Sequence, residues 1–147
     1  MNLFRLENKN DYIELKVIGY EFEDSNEDWL MIHGKIFVNG KYIDGEDPAM
    51  FVYEFTDLKQ WAEGMLHNKC NSKWEPTEPN LEFQYNKDKN ELMLYFYPEH
   101  GLYCKEMKIT RDNELFFFTK KCDTSDWEKI IKWCDDIIKA YPSRENI

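Results

Sequence analysis

The spacing of apolar residues changes period within one stretch, Met50 to Leu66. From Met50 to Phe55, Met50, Val52 and Glu54 alternate with Phe51, Tyr53 and Phe55, and this β-branched and aromatic run predicts a strand deep in a sheet. Thr56 or Asp57 then offers a side-chain oxygen to cap a helix. Leu58, Trp61, Ala62, Met65 and Leu66 follow at spacings of three and four, making one apolar helical stripe. A strand that runs straight into such a helix lays the helix across the sheet.

The flanking chain reads mostly as strands. Residues 1–12 form a leading strand or a loose arm, and alternation continues from Tyr12 to Phe22. Its parity breaks between Val17 and Ile18, just before Gly19, which predicts a bulge. Trp29–Val38 is a second strand, Asn39-Gly40 a tight hairpin turn and Lys41–Ile43 the return. Glu21–Asp28 and Asp44–Pro48 read as loops. Trp74, with Pro76 and Pro79 after it, belongs on an edge or in a loop. Leu81, Phe83 and Tyr85 alternate with Glu82 and Gln84, a strand with one wet face, and Asn86–Asn90 turns into a partner strand carrying Leu92, Leu94 and Phe96. Leu102–Ile109 and Glu114–Thr119 suggest two more. Ser125 with Glu128 makes a capping box for a helix whose apolar face is Trp127, Ile130, Ile131, Cys134, Ile137, Ile138 and Tyr141, ended by Pro142. The expectation is one α+β domain over residues 1–147, a mainly antiparallel sheet of six to eight strands in hairpin order with one mid-chain and one C-terminal helix.

Charge narrows the function classes. The formal net charge is −10, with 33% charged and 16% aromatic residues. A nucleic-acid surface needs clustered Lys and Arg, and an anionic membrane attracts the same residues, so neither is expected as a direct partner. There is no secretory signal or long apolar run, and Cys70, Cys104, Cys122 and Cys134 contain no C-x-x-C pair. These features predict a cytoplasmic protein with reduced thiols. The cysteines and His33, His67 and His100 lack metal-ligand spacing, so no metal or cofactor is expected. No glycine-rich phosphate loop occurs, and the proximity of Cys104 to His100 is generic. No catalytic residue is therefore named, and the chain reads as a non-enzyme.

Two base-free acidic stretches, residues 21–28 and 42–57, flank the same hairpin. If both sit at one end of it, Asp24, Glu27, Asp28, Asp44, Glu46 and Asp47 form one negative patch, suited to a basic protein partner or simply solvated. Trp74 is the best candidate for an exposed aromatic, and with Glu78 forms a secondary binding candidate. That aromatic supports a different class, a non-catalytic carbohydrate- or peptide-binding module. A two-carboxylate hydrolase would instead need a pocket holding an acid of raised pKa.

Asp28-Trp29-Leu30, Asp47-Pro48, Phe51-Val52-Tyr53-Glu54-Phe55, Leu58 and Trp61, Thr77-Glu78-Pro79-Asn80-Leu81-Glu82-Phe83 and Leu94-Tyr95-Phe96 occur in an order and spacing that resembles the WapI family of bacterial immunity proteins. The likeness covers residues 15–100, about three fifths of the chain, and Thr77–Leu81 is its most specific piece. Ala49 and Met50 depart from the Cys and Leu of that pattern. The resemblance implies a cytoplasmic, non-enzymatic antidote specific to one toxin domain of a wall-associated or contact-dependent toxin, commonly a nuclease acting on tRNA.

Overall fold

The computed structural model describes residues 2–24, 27–77, 81–96 and 116–144. Alternation in the first third of the chain produces β1 (Leu3–Asn8), β2 (Asp11–Tyr20), β3 (Trp29–Val38) and β4 (Lys41–Phe51), an antiparallel sheet in that order. The Asn39-Gly40 turn has φ of 53° and 77°, as a hairpin matched to strand twist requires. The β2–β3 register slips between Val17 and Gly19, where the sequence changes parity. One face of this sheet, with Phe4, Leu6, Ile13, Leu15, Val17, Leu30, Ile32, Ile36 and Ile43, is buried.

The strand–helix junction differs from the sequence expectation. The strand ends at Phe51, and α1 spans Val52–His67, so residues 52–55 are helical. Val52, Phe55, Leu58, Ala62 and Met65 all lie buried on one side of that helix. Their spacing of three and four extends the apolar stripe one turn upstream, and tertiary burial overrides the β propensity of Val, Tyr and Phe. Thr56 and Asp57 do not cap. Glu54 reaches back instead, its carboxylate accepting from Phe51 N at 2.9 Å and from Thr77 N at 2.6 Å. Moreover, β4 is the edge strand of its sheet, not an interior one.

The single sheet expected is two. Among the described residues a second four-stranded antiparallel sheet contains β5 (Ser72–Trp74), β6 (Leu81–Asn86), β7 (Glu91–Phe96) and β8 (Phe116–Lys121), in chain order. Leu81, Phe83 and Tyr85 point inward as expected, but Glu82 is also buried. The proposed strand Leu102–Ile109, with Cys104 and His100, lies outside the described residues. The final helix, α2 (Thr124–Ala140), carries its apolar face as expected but begins two residues earlier than a Ser125 cap would place it. Asp123 and Asp126 form the capping box, Asp126 accepting from Asp123 N at 2.9 Å and donating its own N–H to Asp123 at 3.3 Å. Aspartate pairs of this spacing do the work of Ser and Glu.

Aromatic rings join the two sheets and two helices. Phe4 stacks on Trp133 at 5.3 Å and meets Phe83 of the second sheet at 6.3 Å, while Phe55 of α1 meets Trp133 edge-on. Trp127 packs edge-on to Trp61 and Tyr85. Trp61 itself is half-buried, and its Nε1 donates to Ser72 at 2.9 Å. Trp61→Ala is therefore expected to cost roughly 2 kcal/mol in urea unfolding, below the 3–5 kcal/mol typical of a fully buried indole. A loss above about 4 kcal/mol would contradict that partial burial.

Candidate protein-binding surface

The acidic residues do not gather into one patch. The turn at Asn39-Gly40 fixes the β3–β4 register, and that register carries β4 on through the acidic segment, with Asp44 opposite Lys35 and Glu46 opposite His33. Ile43 and Gly45 face inward while Asp44 and Glu46 face solvent, so this segment is a strand with one wet face rather than a loop. Trp29 pairs with Phe51 at the far end of the same two strands. Lys35 lies seven residues along β3 from Asp28, which at about 3.4 Å per residue separates Asp44 from the 21–28 loop by roughly 24 Å. Two acidic groups result. Asp24 and Glu27 are exposed on the loop, Asp44 and Glu46 on the open face of the sheet, and Asp47 contributes its backbone to the ladder opposite Ile32.

Asp28 has a different role from its neighbours. Its side chain is 2% exposed, accepting from Ser143 Oγ at 2.6 Å and Arg144 N at 2.8 Å. Its carbonyl accepts from Val52 N at 3.0 Å, tying the loop to the start of α1. The Arg144 guanidinium donates to the carbonyls of Phe22, Glu23 and Glu27 at 3.0, 2.9 and 2.6 Å and lies 3.5 Å over the Tyr20 ring. The loop is thus shaped by a cation bonded to its backbone, and Glu23, Asp24 and Glu27 are exposed residues of it. Asp44 is held by Tyr42 and by the His33 ring at 2.5 Å, and the His33 contact keeps its carboxyl below the usual carboxylate range.

Aromatic residues beside the loop are not apparent from sequence, because Met50–Phe55 has the alternation of a strand. With Phe51 closing β4 and Val52 opening α1, Trp29, Phe51 and Tyr53 form a ladder. Their ring centroids are 3.6 and 5.6 Å apart, and Tyr53 is 51% exposed. The signal available in the sequence was Glu54, three residues past Phe51, the position of a carboxylate that caps a helix. Trp74, by contrast, is half-buried and packs edge-on against Phe83 at 6.2 Å; Glu78 lies outside the described residues. The buried Cys122 and Cys134 are packing groups, burial pushing the Cys122 thiol up to about 12 and raising that of Cys134 further still. Among the described residues no three His, Cys, Asp or Glu side chains converge as a metal site, and no helix is long and apolar enough to cross a membrane.

The surface so described carries charge and aromatic rings. The immunity protein WapI-like family matches residues 4–142, nearly the whole chain. The chain belongs to the WapI-like immunity protein family. No curated protein and no solved structure matches it. The family match runs well past the stretch that carried the resemblance in sequence and takes in β8 and α2 as well. WapI-like membership makes a toxin protein the partner of an immunity protein of this kind.

Proposed function

We propose that this chain is a cytoplasmic, non-catalytic antidote that binds one cognate toxin domain in a stoichiometric complex and blocks it by contact through acidic surface. The family match carries this reading, and the charge distribution supports it. The exposed carboxylates of Asp24, Glu27, Asp44 and Glu46, with Asp47 on the same strand, suit a basic protein surface. A nuclease acting on tRNA presents such a surface to phosphates, and carboxylates placed there exclude the substrate by occupying its counter-charges. Neither a cofactor nor a metal enters this mechanism, and the chain needs no direct contact with nucleic acid or membrane.

The experiment is co-purification and co-expression with the toxin domain encoded immediately upstream. A one-to-one complex is expected, together with survival of cells making both proteins. Association should slow as salt rises from 0.05 to 0.5 M, each a concentration chosen around the regime of about 0.1 M where screening acts beyond roughly 10 Å. Failure of the two proteins to associate and to restore growth would refute the reading.

A further inference from the structure

The end of the first sheet remote from Asn39-Gly40 combines features found nowhere else among the described residues. Residues 20–29 and 50–57 meet there, joined by the Trp29–Phe51 pairing and the Val52 N–H to the Asp28 carbonyl. These two segments contain seven acids (Glu21, Glu23, Asp24, Glu27, Asp28, Glu54 and Asp57) and no Lys or Arg. Asp28 and Glu54 are buried and bonded within the fold, and the one cation placed against these segments, Arg144, is outnumbered by the other five acids, so the surface stays negative. Along the β1 edge of the sheet, by contrast, Arg5, Lys120 and Lys132 are paired with Glu7 and Glu14, Asp126 and Asp136, so acids and bases alternate there.

The acidic end also exposes apolar surface. Phe22 is 56% exposed, Tyr53 51% and Ile18 46%, all at this end, and Tyr53 is the exposed outer ring of the Trp29–Phe51–Tyr53 ladder, whose other two members are half-buried. A planar guanidinium stacks on aromatic faces and donates to carboxylates in the same pose, which an ammonium does less well. The chain uses this chemistry on itself once, with Arg5 over Tyr12 while paired with Glu7 and Glu14; Arg144 stacks over Tyr20 and donates to backbone carbonyls instead.

We infer that the aromatic ladder Trp29–Phe51–Tyr53 with Phe22, rimmed by Glu23, Asp24 and Glu27, is the docking centre for an arginine-bearing surface of the partner protein. This rests on the antidote reading above and narrows it: the loop end carries the affinity, and the separate row of Asp44 and Glu46 lies at most on the rim. Aromatic anchors inside a charged rim are the usual composition of an interface hot spot.

The test uses the full chain and the toxin domain encoded upstream, with affinity and rates measured by surface-immobilised binding. Tyr53→Ala and the pair Phe22→Ala with Asp24→Lys are expected to weaken the complex at least tenfold, mainly through faster dissociation. Asp44→Lys with Glu46→Lys should change the dissociation rate less than threefold. Tyr53→Phe, which keeps the ring and loses only the hydroxyl contact to Thr77 Oγ1 at 3.2 Å, should bind within twofold of the unaltered chain. Thermal melting of each variant establishes that it is folded. If the unaltered chain binds while both loop-end variants, folded, bind as tightly as it does, the docking centre is elsewhere and the antidote reading stands. If the unaltered chain forms no complex, both inferences fall together.

Discussion

Asp126→Ala is expected to destabilise the fold by roughly 3–5 kcal/mol, the range seen when one partner of a buried ion pair is removed. The carboxylate is fully buried and has two tasks. One oxygen accepts from Asp123 N at the start of α2, and the other from Lys120 Nζ of β8 at 2.7 Å. Lys120 retains only 16% of its side-chain exposure, so alanine leaves a largely buried ammonium without its partner while also uncapping the helix. Asp126→Asn keeps an oxygen for the Asp123 N–H and should lose less. Combining Asp126→Asn with Lys120→Met should recover part of the remaining loss, because the unpaired cation is then gone. Urea midpoints at constant m-value measure these differences. A cost below about 1 kcal/mol for Asp126→Ala would mean that Lys120 readily reaches water and that the pair matters little.

Trp127→Ala should cost a similar 3–5 kcal/mol, for a different reason. The indole is fully buried between Trp61 and Tyr85, where α2 meets α1 and the second sheet, and alanine leaves a cavity that three elements would have to close. The informative comparison is Trp127→Phe. Among the described residues Trp127 Nε1 has no hydrogen-bond partner, and a buried unsatisfied donor costs about 1–3 kcal/mol. Phenylalanine removes that donor, which offsets part of the lost packing, so the expected loss is under about 2 kcal/mol. Equal losses for Ala and Phe, read from the same urea curves, would show that the indole N–H is satisfied after all.

Much of the fold was legible because local chemistry dictates it. Asn39-Gly40 takes the two positive φ angles that its residues tolerate, Gly19 marks the bulge, and the alternation of Leu81–Tyr85 and Leu92–Leu94 gives the second hairpin. The junction at Phe51 was not legible, since Val52, Tyr53 and Phe55 satisfy a period of two as well as one of 3.6. Only burial against the core decides between them. The cap of α2 was misplaced because Ser125–Glu128 and Asp123–Asp126 both have capping-box spacing two residues apart. The candidate site suffered most. Asp44-Gly45-Glu46-Asp47-Pro48 has the composition of a solvated loop, yet strand pairing set by the hairpin turn continues through it. Asp28 looked like its exposed acidic neighbours, and its burial depends on Ser143 and Arg144, contacts that no local pattern announces.

That last pair of contacts has a bearing on when the molecule becomes competent. Asp28 and Arg144 are 116 residues apart, and a ribosome adding about 5–20 residues per second takes roughly 6–23 s to travel between them. Through that interval the loop of residues 21–28 has been synthesised but lacks the guanidinium that organises its carbonyls and the groups that neutralise the buried Asp28 carboxylate. A nascent chain stalled before Arg144 would carry every acid and aromatic of the loop end without the arrangement that presents them. The loop end is therefore a late product of synthesis, arranged only once Ser143 and Arg144 have followed the core into place.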